Sequence, residues 1–327
     1  MIVVSTGCPA GVGPEVSVAA AARLGQPCVL VGDLETLVLA ARKVGVAASR
    51  LVAFTERARK GQVHVLHVGP ALGAANRRPG RPTRTSGAAQ LAYIDVAYGL
   101  VRTGVGTALV TGPVSKQAIA RSGAPGAAGF IGHTEHLAAL DGAKHVVMCF
   151  ASPKLVTSLV TTHLPLFRVP RAVTRVSVAR SILALSELLS ARSRRVPRIA
   201  VASLNPHAGE GELLGSEERT AIVPGIRIAA RSLGKRAQVS GPLGAETAYR
   251  KALAGDFDGV VAMYHDQATI PLKLLSFGTA VNVTMGLGIT RTSVDHGTGY
   301  DIAWQRKADA SGMLAAMKLA KRLASAR

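Results

Sequence analysis

The sequence predicts an α/β protein built on a largely parallel sheet with helices on both faces. Short β-rich runs alternate with helical patterns through most of the chain, which is the signature of α/β layering. With 48% hydrophobic and only 18% charged residues over 327 positions, there is enough apolar material for a large core in a compact two-lobed molecule. No repeat with a period of about 20–50 residues is present and no low-complexity linker separates two halves, so any two lobes are interwoven.

The elements follow in order. An N-terminal strand in MIVVST runs into a Gly-rich turn. CVLVGD (28–33) is a strand followed by a helix near 34–44, and QVHVLHV (62–68) is the next strand. A helix near 86–102 leads to the strand GTALVTG (106–112) and a helix near 115–121. Strands at 145–150 and 154–161 precede a helix near 175–191, and RIAVAS (198–203) precedes one near 217–232. A helix near 245–254, strands at 258–263 and 279–284, and a helix near 311–325 complete the pattern, each apolar run being assigned by its period.

Lys and Arg total 39 against 19 Asp and Glu, a formal charge of +20. Such an excess serves nucleic acid, a membrane surface or small anionic substrates, and by itself does not choose among them. The basic residues are scattered along helices and only 4% of residues are aromatic, which is poor material for stacking bases. The densest cluster, Arg77, Arg78, Arg81 and Arg84, lies in a Pro- and Gly-containing stretch and reads as a solvated loop. Cys8, Cys28 and Cys149 are odd in number and widely spaced, supporting neither a disulfide framework nor a thiolate metal site. No uninterrupted apolar window approaches membrane-spanning length, and MIVVST has no basic region ahead of an apolar one. A soluble cytoplasmic protein with no nucleic-acid or membrane partner is expected.

In open α/β sheets ligands collect at the carboxyl ends of strands, so the polar residues that follow each β-run carry the chemistry. His163 follows the run 154–161, His207 follows 198–203 and His265 follows 258–263. Three neutral imidazoles converging from three strand ends would form an open site for a divalent metal; any one of them alone is as readily a hydrogen-bonded loop residue. In IGHTEH (131–136) a Gly turn leads into a helical pattern. Exposed amides there, with His133 and Thr134 beside them, suit an anion; alternatively Thr134 is simply the helix N-cap. Lys273, Asn282 and Arg291 follow at intervals of about nine residues, and such cations bind phosphate or carboxylate, Arg as a bidentate fork and Lys as a point charge. The segment Gly7–Glu15 either cradles an anion or makes a tight strand-to-helix turn. It is neither GxGxxG nor GxxxxGK[ST], so a dinucleotide would have to be held in another way.

Taken together, PAGVGPE (9–15), TGPVSK (111–116), GHTEHLA (132–138), LNPHAGE (204–210), YHDQ (264–267) and RTSVDHGT (291–298) resemble, in order and spacing, the 4-hydroxythreonine-4-phosphate dehydrogenase family. Asp295, His296, Gly297, Thr298 and Asp301 lie in a stretch that also resembles the cofactor loop of isocitrate and isopropylmalate dehydrogenases. The resemblance implies their three-layer α/β/α fold, with two interwoven lobes around a central cleft: 1–130 with 305–327, and 131–304. It implies a homodimer whose active sites take residues from both subunits. It implies NAD as cofactor, with NADP as the alternative, bound by those five residues. One divalent ion (zinc, magnesium, manganese or cobalt) would be held by His163, His207 and His265, and a phosphorylated hydroxy acid would be contacted by His133, Thr134, Lys273, Asn282 and Arg291. The implied reaction oxidises 4-phosphooxy-L-threonine at its 3-hydroxyl and then decarboxylates it to 3-amino-2-oxopropyl phosphate, in vitamin B6 synthesis. No residue is assigned as the general base.

The chain departs from the family pattern at Cys8, where Glu is usual, at Gly112 and Ser115 in the TGPVSK segment, at Glu246, where Asp is usual, and at Trp304, where Gly is usual and where an indole bears on adenosine binding. Relatives oxidise 4-phosphorylated threonate or erythronate, so a sugar-acid dehydrogenase is the nearest alternative. A three-histidine metal hydrolase, in which metal-bound water is the nucleophile, is the more distant one.

Overall fold

The computed structural model describes residues 1–55 and 61–326. In chain order the elements are Ile2–Ser5 (β1), Gly13–Leu24 (α1), Cys28–Gly32 (β2), Leu34–Lys43 (α2), Leu51–Ala53 (β3), Val63–His67 (β4), Arg84–Arg102 (α3), Ala108–Thr111 (β5), Lys116–Ala120 (α4) and His133–Asp141 (α5). They continue as Val147–Ala151 (β6), Val156–Leu159 (β7), Val169–Ala172 (α6), Arg175–Arg192 (α7), Arg198–Ala202 (β8), Val223–Leu233 (α8), Gln238–Leu243 (β9), Ala245–Leu253 (α9), Gly259–Ala262 (β10), His265–Ser276 (α10), Val281–Met285 (β11), Arg291–Val294 (β12) and Ser311–Ala324 (α11). Among the described residues no helix is long and apolar enough to cross a membrane.

The chain packs as two units, Met1–His145 with Leu287–Ser325, and Val146–Gly286. The expected division at 130/131 and 304/305 therefore moves. Helix α5 belongs to the first unit because Tyr98 of α3 donates to Asp141 (3.0 Å) and His136 pairs with Asp95 (2.5 Å). Strand β12 belongs there because it is laid parallel to β5, Arg291 beside Leu109. Residue 327, assigned by sequence to the first lobe, lies outside the described residues.

In the first unit the strands run β3-β4-β2-β1-β5-β12, every pair parallel. Strands β1, β2, β5 and β12 are buried at every position. Successive side chains point to opposite faces, so such strands need cover on both. Helix α3 packs on β1, β2 and β5, while α1 and α11 pack on each other and on the same sheet. A capping box starts α3: Thr83 accepts from the Ser86 amide and the Ser86 hydroxyl accepts from the Thr83 amide, which places the helix start two residues before the predicted one.

In the second unit the order is β11-β6-β7-β10-β8-β9. Strands β7, β10, β8 and β9 are parallel, but β6 is antiparallel to both β11 and β7. The physical reason is the four-residue link between β6 and β7, where the Ser152 hydroxyl accepts from the amides of Lys154 and Leu155; a link that short can join antiparallel strands only. Helix α7 covers β6, β7, β8 and β10. The helix predicted over 217–232 divides into a π turn at Glu218–Ile222 and then α8, because Pro224 has no amide to donate to the turn before it.

Leu30, in β2, is fully buried. Truncation to Ala leaves a cavity, and Leu30→Ala is expected to cost about 2–5 kcal/mol, read as a lower urea midpoint with the transition slope unchanged.

Candidate active site

In the first unit β1, β5 and β12 lie side by side and release three loops from their carboxyl ends. Backbone bonds stitch the loops together. The Cys8 amide donates to Pro113 O (2.8 Å) and the Val12 amide to Thr298 O (2.9 Å). Gly7 has φ +76°, and a Cβ on it would stand 2.3 Å from Pro113 O; one on Gly11 would stand 2.6 Å from Thr298 O. Glycine is required at both because the neighbouring chain is in contact. The Gly-rich segment is thus a tight strand-to-helix turn. The buried carboxylate of Glu15 already sits in the first turn of α1 and accepts from the Trp304 amide (2.6 Å), which settles the alternative of an anion cradle there. Burial raises the Glu15 carboxyl above its usual range, against the amides of Trp304 and Arg306.

Arg291 begins β12, is 3% exposed and donates to the Thr111 hydroxyl (2.7 Å). Burial lowers its guanidinium to about 10, with Glu135 working the other way, so it stays charged at neutral pH. His133 opens α5. The N-cap is Gly132 in extended backbone, with no side-chain cap, so Thr134 is the second helical residue and does not cap. The His133 ring stands edge-on to Phe130 at 6.2 Å, and its enclosed Nε2 has no hydrogen-bond partner. Burial holds its pKa well below the usual value, with repulsion from Arg291, His136 and Lys116 added. A neutral imidazole with an unspent ring nitrogen, among cations, offers itself to an anion.

Lys116 was given no role from sequence; its signal was its place closing the TGPVSK segment. It opens α4, whose Ser115 cap accepts from the Ala118 amide and receives the buried Gln90 side chain on its own amide. Of the segment 295–301, expected from the sequence to meet a cofactor, the Thr298 carbonyl is taken by Val12, His296 Nδ1 lies 2.9 Å from Gly297 O, and the Asp301 carbonyl accepts from Gln305. Tyr300 reaches Cys8 Sγ (3.5 Å). Burial pushes Tyr300 up to about 12 and raises the Cys8 thiol as well, so Cys8 is a neutral packing residue at the position of the family's Glu.

In the second unit β7, β10 and β8 are also adjacent and parallel, and the three histidine loops leave their carboxyl ends. Thr161 binds Met263 O through both its amide and its hydroxyl (3.1 and 2.7 Å). Gln267 joins the other pair of loops, accepting from the Met263 amide and donating to Ser203 O. His163 and His265 come ring to ring, with centroids 5.5 Å apart. His265 Nδ1 faces Asp266 (2.7 Å), the arrangement that orients a ligating imidazole and leaves Nε2 for an ion. His207 opens five consecutive left-handed residues, 207–211. For its non-glycine members this costs roughly 1–2 kcal/mol each, and such strain collects at functional loops. Glu218 anchors the loop by accepting from the amides of Leu204 and Asn205. Among the described residues no three of His, Cys, Asp and Glu form a group that could hold an ion. Of the three imidazoles expected to converge, His163 and His265 are brought ring to ring, and His207 is carried on the loop of the adjacent strand. Lys273 is exposed on α10, and Asn282, on β11, has an enclosed Oδ1 without a partner.

These strand-end loops sit on a three-layer α/β/α scaffold. The chain superposes on a 4-hydroxythreonine-4-phosphate dehydrogenase from Klebsiella pneumoniae with TM-score 0.83 and 34% identity over 99% of each chain. It also superposes on a terephthalate 1,2-cis-dihydrodioldehydrogenase from Burkholderia xenovorans LB400 with TM-score 0.69 and 30% identity, covering 98% of this chain and 97% of that one. A Geobacter metallireducens 4-hydroxythreonine-4-phosphate dehydrogenase is 43% identical over 99% of this chain and 95% of its own length. Residues 24–320 match the model of the pyridoxal phosphate biosynthetic protein PdxA family, and the chain belongs to that family.

The lowered pKa of His133 has a consequence for stability. Unfolded chains take up a proton below about 6.5 and the folded site resists it, so this contribution is complete above that pH and is lost as pH falls. Urea midpoints at pH 7.5, 6.5 and 5.5 should show a decline of up to about 1.4 kcal/mol per pH unit from this group, and His133→Asn should flatten the decline by that amount.

Proposed function

We propose that the chain oxidises the 3-hydroxyl of 4-phosphooxy-L-threonine with a nicotinamide dinucleotide and releases carbon dioxide to leave 3-amino-2-oxopropyl phosphate, as a step of vitamin B6 synthesis. Family membership supports the reaction class. The observation that carries the substrate class is the enclosed, unpartnered His133 Nε2 among buried Arg291 and exposed Lys116, two cations that a phosphate or carboxylate would neutralise.

His133, Thr134, Lys273, Asn282 and Arg291 are the proposed substrate contacts, and the segment Asp295–Asp301 is the proposed dinucleotide contact. Zinc, magnesium, manganese or cobalt would be held by His163, His207 and His265, and when bound lowers the pKa of a hydroxyl next to it. Asp266 keeps the His265 ring turned with Nε2 outward. The oxidation moves hydride from C3 to the nicotinamide and the hydroxyl proton to solvent, leaving a ketone β to the carboxylate; carbon dioxide then departs, and the enolate left behind takes a proton from solvent at C2. No group of the chain is assigned as the base.

A homodimer with shared active sites belongs to the same reading. Ile270 and Leu274, one turn apart on α10, and Phe277, just past its end, are 59%, 82% and 84% exposed. A contiguous apolar stripe of this kind marks an interface. A cytoplasmic location also belongs to it, supported by three buried free thiols, the state that a reducing compartment maintains.

Dinucleotide reduction measured with each metal in turn should favour 4-phosphooxy-threonine over 4-phosphorylated threonate and erythronate; the reverse preference would move the chain to sugar-acid catabolism, and silence on all three would refute the reading. His207→Ala should lower metal-dependent turnover by more than the roughly 10–100-fold that loss of an outer-shell partner costs, with circular dichroism unchanged. Leu274→Glu with Phe277→Glu should convert a dimer to a monomer in light scattering.

A further inference from the structure

The hydroxyl of Thr111 meets the guanidinium of Arg291 inside the first unit, and the sheet fixes how. Arg291 opens β12 and lies beside Leu109 of β5, while Ser293 lies beside Thr111. Strand residues two apart share a face, and that step is about 6.6 Å. Arg291 spans it with its side chain, so that Nη2 stands 2.7 Å from Thr111 Oγ1. The side chain therefore runs along the strands, from the start of β12 toward the carboxyl end of β5. Its head group is delivered to the edge from which the loops after β1, β5 and β12 leave.

Thr111 is held on every side. It is the last residue of β5, is 1% exposed, and is paired with Ser5 of β1 and Ser293 of β12. The next amide, Gly112, donates to Ser5 O (2.8 Å). A β-branched side chain in such a place has little choice of rotamer, so the hydroxyl is a fixed acceptor. A guanidinium carries five donors in one rigid plane. Tying one donor to a fixed acceptor sets the direction in which the others point. The charge of Arg291 also acts on His133, whose enclosed Nε2 has no partner, so the fork and the open ring nitrogen belong to one electrostatic group.

We propose that Thr111 is a positioning residue of the reaction: its hydroxyl orients the Arg291 guanidinium for a bidentate grip on an anionic end of the hydroxy acid, and Thr111 itself touches no substrate. A fork oriented before the ligand arrives loses less freedom on binding, and a bidentate pair forms only when the two planes agree. The inference rests on the reading above in which Arg291 contacts the substrate.

Binding of 4-phosphooxy-threonine is measured by calorimetry on the full-length protein without dinucleotide, and KM and kcat are measured with it. Thr111→Val keeps the shape and removes the acceptor. It should weaken binding and raise KM by about tenfold or more, the worth of a hydrogen bond to a charged group, while kcat and the KM for the dinucleotide stay near wild type. Thr111→Ser keeps the hydroxyl and should restore both. Arg291→Lys has no fork to orient, so adding Thr111→Val to it should cost little more, the coupling expected of two residues that act through one contact. Wild-type binding by Thr111→Val, a loss in kcat alone, no restoration by Thr111→Ser, or losses that simply multiply in the double variant would each overturn the proposal. If Thr111→Val does not fold, Thr111→Ala removes the same hydroxyl without setting a methyl beside the guanidinium and takes its place. Unchanged binding in Arg291→Lys would refute Arg291 as a substrate contact, and the proposal with it; weakened binding there with wild-type binding in Thr111→Val would refute the positioning alone.

Discussion

Parallel pairing of fully buried strands governs the rest of this molecule. A parallel pair cannot be closed by a tight turn, so each strand of β1, β2, β5 and β12, and of β7, β10 and β8, must be separated from its neighbour by a crossover. Their carboxyl ends therefore lie on one edge of each unit, and residues far apart in sequence meet there. In the first unit this brings the loops after Thr6, Thr111 and Val294 into direct backbone contact through Cys8–Pro113 and Val12–Thr298. In the second it places the loops of His163, His265 and His207 on three adjacent strands. Where the chain needed a quick reversal instead, at Ser152–Leu155, strand β6 turned antiparallel.

Charge organises the chemistry on this scaffold. Most of the excess positive charge is spread over exposed helix faces, where it screens well and decides little. Two places differ. Around His133 burial depresses the basicity of the imidazole and the cations Arg291 and Lys116 add to it, a cost a folded chain bears most readily where an anion is to be bound. In the arginine cluster the carboxylates Asp33 and Glu35 hold Arg77.

Strain marks the same regions. The left-handed run beginning at His207, and the positive φ of Trp304 and Arg306, lie in loops rather than in strands or helices. Surrounding contacts hold both: Glu218 on the Asn205 amide and side chain, and Glu15 on the Trp304 amide. Buried carboxylates that spend themselves on backbone amides are how these loops keep unusual conformations.

Much of the fold was legible in the residues alone. Apolar period, Gly and Pro punctuation and the alternation of element types are local properties, so the strands at 28–33 and 198–203 and the helices at 34–44 and 245–254 were set by nearest neighbours along the chain. The histidines behind three β-runs were visible because topology sends every such position to one edge. Tertiary structure alone decided the antiparallel strand β6, the Gly132 cap that displaced Thr134, the ring-to-ring approach of His163 and His265, and the hold of Asp33 and Glu35 on Arg77. Each of these depends on contacts between residues tens to hundreds of positions apart, and no local pattern carries the distances over which a hydrogen bond or a charge is satisfied.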